Sequence, residues 1–485
     1  MTNVTQSPAI LSIASSFGQV QSAAGARVRV STPLLVKAGI VATVLATCLW
    51  WVAVSGLIFE LKHSAQTIGR DTVPSIVAAQ EIRAHLARMN ADLADALLAK
   101  GSQSDNAWLD LEHERFVLSD KIVSAAQNIT FGDAERAPIL WIADYVQDYA
   151  VLAGRVREAV ALDPNHGFNG AANAALRDAV TLMDDTLLPL ADKLNDANEQ
   201  VLNRSWTKSR NIGLGGTILM LACGVPTVAV LVVLQFLLFR RTRRILNPCL
   251  ALATVIAVLT MLYMASVNSS AARELVNAKE NAFDSVNALS KGRAIAYAAN
   301  ADESLYLLDA EWKRHYQDAF RAEMTALAAI NIDQPGVADY MKGVLDGFKR
   351  AKCPPKSFAF TGLVADELRN VTFAGECEAA VDLFKKLAVY EGIDTRIRAL
   401  DASGQHEAAI ALDIGTEIDQ SDWAFEQFGK ALAATIAINQ REFDKSIGRA
   451  FSILSPLEAI ISISSVLILV LTFLGVRPRL SEYRE

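Results

Sequence analysis

An all-α membrane protein is the fold class this 485-residue sequence predicts: four transmembrane helices and two extracytoplasmic antiparallel four-helix bundles, produced by an internal duplication. Three observations lead there. Four long runs carry no charged residue: Ala38–Phe59, Asn211–Phe239, Ile245–Ala272 and Ala459–Val476. The segments between them are amphipathic and rich in Ala and Leu. A block that follows the first run recurs after the third.

The composition supports helices. Hydrophobic residues make up 52% of the chain, aromatic residues only 7%, and there are 13 prolines. Ala and Leu favour helices, whereas strands draw on aromatic and β-branched residues. Each uncharged run is long enough for a helix to cross about 30 Å of hydrocarbon. Four such runs in one chain exceed what a soluble core would bury. The expected spans are 35–59, 211–239, 245–268 and 451–476.

Lys and Arg near the span ends set the orientation. Arg27, Arg29 and Lys37 precede the first span. Arg240, Arg241, Arg243 and Arg244 lie between the second and third, and Arg477, Arg479 and Arg484 follow the fourth. With four spans all three groups lie on one side, which the positive-inside rule makes the cytoplasm. The expected parts are a cytoplasmic tail (1–34), an Arg turn (240–244), a C-terminal tail (477–485) and two extracytoplasmic segments (60–210 and 269–450). The first span lacks a small-x-small cleavage site and reads as a retained anchor. A net charge of −7 argues against general nucleic-acid binding, and an Arg turn wedged between two spans offers no groove-reading surface.

Within the first outside segment Ile82, Leu86, Met89, Leu93 and Leu97 recur at helical spacing. Three further amphipathic stretches follow, the last running through Arg210 into the second span. Short loops between long amphipathic helices favour an up-down bundle. The second segment repeats the plan, with a fourth helix expected from about Glu407 into the fourth span. Aligned at a shift of 210, the blocks from Asp71 and from Asn281 are identical at nine of 29 positions, among them Arg83/Arg293, Asn90/Asn300 and Asp92/Asp302. Before the second and fourth spans the shift is 237. The extra residues are assigned to Ala351–Cys377, read as an insertion closed by a Cys353–Cys377 disulfide in an oxidising compartment.

No catalytic motif is present. The six histidines are scattered, and no Gly-rich phosphate loop precedes a helix. The expectation is a non-enzymatic chain without cofactor or metal. Arg83 and Asn90 are seven residues apart and share one side of their helix, as do Arg293 and Asn300. Such an arginine can bind a ligand carboxylate through its two-pronged guanidinium. It can equally pair with an acid on the next helix and fix the bundle register, and both readings stand. Asp92 and Asp302 are expected to project away from the apolar stripe. Pro226 is expected to kink the second span, and Glu458 stands near the outer end of the fourth.

Two stretches, "AANADESLYLLD" (Ala298–Asp309) and "LGVRPRLSEYRE" (Leu474–Glu485), together with the 2+2 span layout, resemble a family of four-span membrane proteins common in actinobacteria. One member of that family is a transmembrane adaptor in amino-acid sensing. It relays the state of an external glutamine/glutamate-binding lipoprotein to a cytoplasmic Ser/Thr kinase. The bundles are also similar to chemoreceptor-type sensor domains. The resemblance implies a sensor-adaptor with an extracytoplasmic solute-binding protein and a cytoplasmic Ser/Thr kinase as partners, and the Arg turn as the cytoplasmic contact. The alternative is a structural or assembly protein of the cell envelope. Homo-oligomerisation is compatible with either.

Overall fold

The uncharged runs fold as helices that continue well beyond them. In the computed structural model, which describes residues 32–162, 170–242, 247–329 and 361–481, there is no strand among the described residues. The first half contains α1 (Thr32–Gln66), α2 (Val73–Leu98), α3 (Ser102–Gln127), α4 (Asp133–Ala161), α5 (Gly170–Leu182) and α6 (Leu188–Thr242). The second contains α7 (Pro248–Val276), α8 (Asp284–Leu308), α9 (Lys313–Leu327), α10 (Leu363–Asn370), α11 (Glu376–Ala402), α12 (His406–Asp413), α13 (Ser421–Leu454) and α14 (Leu457–Ser481). Three π-helical turns interrupt the long helices, at Thr67–Thr72, Met183–Leu187 and Asn277–Phe283. Four helices are long and apolar enough to cross a membrane.

The chain divides into two units. The apolar one comprises 1–55, 218–265 and 458–485. Its large side chains face outward, including Leu45, Leu49, Val233, Phe236, Leu259 and Phe473. Surface of that kind is stable against lipid and not against water. Small residues let its helices approach. A Cβ on Gly39 would fall 2.7 Å from Leu234, and one on Gly224 would meet Met261 and the fully buried Trp50. Trp51 Nε1 donates to Ser462 Oγ at 3.0 Å, and Asn247 Nδ2 to the Gly475 carbonyl at 2.6 Å. Pro226 lies inside α6, which continues through it to Thr242. Glu458 occupies the first turn of α14, where a negative charge complements the helix dipole.

The second unit comprises 56–217 and 266–457. Here the structure departs from two separate bundles. The buried side chains of both segments form one continuous core, reaching from Leu86, Leu93 and Tyr149 to Leu305, Phe384 and Phe428. α2 packs against α8, and each carries its own half around it. The consequence for α8 is burial on every side: residues 299–307 are all buried, two and a half turns without a solvent face. That corrects the placement of Asp302, which is 8% exposed inside the core and not on a solvated face.

Further details were not expected from the sequence. Within the expected insertion Ala351–Cys377, the described stretch from Leu363 folds as α10 and opens α11. Its turn is built like one in the first half. Glu135 Oε2 accepts the backbone N–H groups of Thr130 and Phe131 at 2.8 and 2.7 Å. Glu376 Oε2 accepts those of Thr372 and Phe373 at 2.6 and 2.8 Å. The matching strings are Asn128-Ile-Thr-Phe131 and Asn370-Val-Thr-Phe373. The expected fourth helix of the second segment is broken twice, after Asp413 and at Ser455–Pro456, where proline cannot continue the hydrogen-bond ladder. Cys353 lies outside the described residues, so the expected disulfide falls outside them as well.

Candidate functional site

Polar side chains buried between the two halves of the second unit mark where function can reside. A cavity of about 400 Å³ opens between α2, the Met183–Leu187 turn, the start of α6, α8 and α9. Its lining includes Arg83, Asn90, Asp184, Asp192, Asp302, Trp312, His315 and Glu323. The π-helical turn matters to this geometry. It inserts an extra residue into the helix and brings Asp184 into the wall, the kind of local irregularity that recurs at functional sites.

Arg83 pairs with an acid on a neighbouring helix, one of the two roles read from its sequence position. Its Nε donates to Asp192 Oδ1 at 2.6 Å, tying α2 to α6. Its Nη1 is buried without an acceptor. An unsatisfied guanidinium N–H costs free energy unless a ligand or water completes it. Asn90, one side of the helix shared with Arg83, is 5% exposed. Its Oδ1 accepts from the Tyr149 hydroxyl at 3.2 Å, and no acceptor among the described residues takes a hydrogen bond from its Nδ2. Both residues line the cavity.

Three carboxyl groups of raised pKa share the lining. Burial, reinforced by the neighbouring Asp302 and Asp184, pushes Glu323 up to about 10. Burial also raises Asp302 well above the ordinary carboxylate value, with Asp184 next in effect. Burial and the mutual repulsion of Asp302 and Glu323 both favour a protonated pair over two anions. Asp184 is pushed up to about 6 by burial and then by Asp185. A ligand ammonium placed here would replace the shared proton with a charge-assisted contact.

The cavity wall is braced by a tie between the halves. Arg177 of α5 reaches Asp309, just beyond α8, with Nε–Oδ2 2.6 Å and Nη2–Oδ1 2.7 Å. Asp309 Oδ1 also accepts the N–H groups of Glu311 and Trp312 at 3.0 and 3.3 Å. The same guanidinium lies 5.1 Å from the centre of the Trp312 ring, and Trp312 lines the cavity. A second tie runs from Lys291 and Asn287 of α8 to Glu199 of α6, at 2.6 and 3.0 Å.

The other expected site residues are elsewhere. Arg293 and Asn300 do not line this cavity. Asn300 is buried, and Arg293 Nε is buried without a partner. The Arg240 guanidinium lies 5.6 Å from the Phe236 ring centre at the end of α6, while Arg243 and Arg244 lie outside the described residues. Sequence reasoning missed Asp184, Asp192, Trp312 and Glu323. One signal was available for the first: two adjacent aspartates interrupt the apolar run "AVTLMDDTLLPLA".

Residues 64–207 match the model of a family described as an actinobacterial sensor domain. That segment runs from the end of α1 into α6 and contains Arg83, Asn90, Asp184 and Asp192. The match supports a sensing role. No curated protein and no solved structure is significantly similar to the chain.

Proposed function

We propose that this chain is a non-enzymatic membrane sensor-adaptor of the cell membrane. Its second unit lies outside the cell and takes a small ligand carrying both a carboxylate or carbonyl and an amine, an amino acid being the simplest case. The observation that carries this reading is one cavity whose lining joins Arg83 and Asn90 with the acids Asp184, Asp302 and Glu323. The donors suit the ligand's acceptor and the acids its cation. Ligand that binds one packing of α2 against α8 better than another shifts the population, and α1 and α6 run from this unit into spans that would carry the shift.

In this reading both termini and the Arg turn, Arg240, Arg241, Arg243 and Arg244, are cytoplasmic. A cytoplasmic partner such as a Ser/Thr kinase reads them, and an external solute-binding protein can deliver the ligand. The halves descend from an internal duplication. The π-helical turns starting at Thr67 and Asn277 are 210 residues apart, the shift at which the sequences align, and the Glu135 and Glu376 turns share one design. A Cys353–Cys377 disulfide would hold the stretch before α11.

The envelope-scaffold alternative draws on a different observation. The outward side chains Leu109, Phe116 and Val123 recur every seventh residue on α3 and are more than half exposed. Co-purification separates the two. A sensor-adaptor recovers a kinase or binding protein in amounts that change when amino acids are added. A scaffold recovers envelope components regardless of small molecules. Labelling of intact cells with an impermeant maleimide tests the orientation. Ser119→Cys should react from outside and Glu485→Cys should not; the reverse would discard the proposal.

A further inference from the structure

A second polar seam is built from residues that do not line the cavity. Ser304 of α8 is 1% exposed, and its Oγ lies 2.9 Å from Asp95 Oδ1 of α2 and 3.0 Å from Asp413 Oδ2 of α12. A hydroxyl has one hydrogen and can donate to one of these acids only. With both acids ionised, the other contact would set lone pair against lone pair. One carboxyl must therefore carry a proton and donate it to Ser304 Oγ. Asp413 is the better carrier. It is 1% exposed, and its Oδ1 is buried without a partner, which a neutral carbonyl oxygen tolerates far better than an anionic one. The chain of donation then runs Asp413 Oδ2–H to Ser304 Oγ–H to Asp95 Oδ1, and Asp95 is its part-exposed end.

We propose that the Asp95–Ser304–Asp413 seam is a proton-binding site through which the extracytoplasmic unit senses external pH. The bound proton joins α2 of the first half to α12 of the second across α8. Its loss places two buried anions around one hydroxyl and drives α12 away from α2.

The surroundings reinforce the effect. Glu303, also of α8, accepts from the Tyr390 hydroxyl of α11 at 2.7 Å and from Ser421 Oγ of α13 at 3.0 Å. Asp92 of α2 and Asp422 of α13 add further carboxyls, and Asp394 of α11 stands beside Glu303. Among the cations near the cluster are Arg398 of α11, which pairs with Asp394 at 2.8 Å, Arg321 of α9, which also acts on Asp394, and Arg88 of α2, beside Asp92. From α3 the contact is uncharged: Gln103 Nε2 donates to the Ile414 carbonyl at 2.7 Å. Acids thus outnumber bases around the seam. Burial pushes Asp95 up to about 6 and Glu303 up to about 8, the latter with Asp394 adding to it. Burial raises Asp413 well above its ordinary value, with Glu303, Asp95 and Asp422 adding to it. Among the described residues no group of three or more His, Cys, Asp or Glu is placed to hold a metal ion, which favours a proton as the occupant.

An acid whose folded-state pKa is raised contributes stability fully present below its ordinary pKa and lost as pH rises through the raised value. The test follows thermal unfolding of the full chain in lipid nanodiscs, without ligand, so it is independent of the ligand-binding reading. From about pH 5 to about pH 8 the wild-type Tm should fall by roughly 5 °C or more. Asp413→Asn, a permanently neutral donor to Ser304, should make that fall measurably smaller, the other raised acids keeping the remainder. Equal pH slopes in the two proteins, or a wild-type Tm that holds or rises with pH, would overturn the proposal. So would calcium or magnesium at millimolar level restoring the wild-type Tm at the higher pH but not that of Asp413→Asn, since the site would then bind a cation. If Asp413→Asn does not fold, Asp95→Asn serves in its place. It should shrink the slope, and an unchanged slope refutes the idea.

Discussion

Replacing Arg177 by methionine removes the cation from a fully buried carboxylate while keeping much of the packing volume. Asp309 has no exposed side-chain surface, and Arg177 gives it two charge-assisted hydrogen bonds at 2.6 and 2.7 Å. Losing one partner of a buried pair costs about 3–5 kcal/mol. Two features pull the figure down. Arg177 is 22% exposed, and Asp309 keeps the Glu311 and Trp312 N–H groups. A loss of about 2–3 kcal/mol follows, near the lower limit for a buried pair. The contact from Arg177 to the exposed Glu311 adds little. In a unit this large the Tm should drop by roughly 5 °C. The assay is a double-mutant cycle with Asp309→Asn, read by thermal unfolding in nanodiscs. The double variant should be about 2 kcal/mol more stable than additivity predicts, because Asp309→Asn leaves no anion to strand. The pair also has a sign in pH. Burial alone would raise Asp309, but the Arg177 bonds and the two N–H groups outweigh it and lower its pKa. Its contribution is present above the ordinary carboxylate range and lost on acidification, opposite in direction to the Asp95–Asp413 seam. A cycle with no coupling, or an Arg177→Met protein as stable as wild type, would refute the claim that this tie joins the halves.

Three further outcomes can be checked together. Glu135→Ala strands two backbone N–H groups at the start of α4 and should cost about 2 kcal/mol in chemical denaturation, most of it recovered in Glu135→Gln. Gly362→Ala should cost about 2 kcal/mol or more and quicken proteolysis near α10, since Gly362 has φ +109° and a Cβ there would lie 2.7 Å from the Leu327 carbonyl oxygen. Leu305→Ala, at 0% exposure on α8, should cost about 2–5 kcal/mol and destabilise both halves in one transition, because a single core joins them.

The membrane helices were legible because an uncharged run of that length has few other uses, and the amphipathic helices because their apolar residues recur every three or four positions. The joining of two bundles was not legible. α2 and α8 each satisfy a one-sided pattern, and the further buried surface of α8 includes Asp302, which reads as solvated until a partner covers it. Arg83 and Asn90 were found from their shared side of a helix and do line the cavity. Arg293 and Asn300 occupy the same places in the other aligned block but do not line it. The recurring Asn-x-Thr-Phe turn was visible in the sequence all along. An insertion placed over Ala351–Cys377 hid it, because Asn128 and Asn370 are already 242 residues apart.

The account is tested most directly by isothermal titration of amino acids and simple amines into the full chain in nanodiscs, comparing wild type, Arg83→Gln and Arg293→Gln. Ligand contact through Arg83 predicts saturable binding of at least one such compound, weakened about tenfold or more by Arg83→Gln, since losing one charged hydrogen bond costs about 1.5–3 kcal/mol, and unaltered by Arg293→Gln. Binding that survives Arg83→Gln at full strength, or that is abolished by Arg293→Gln instead, would contradict it.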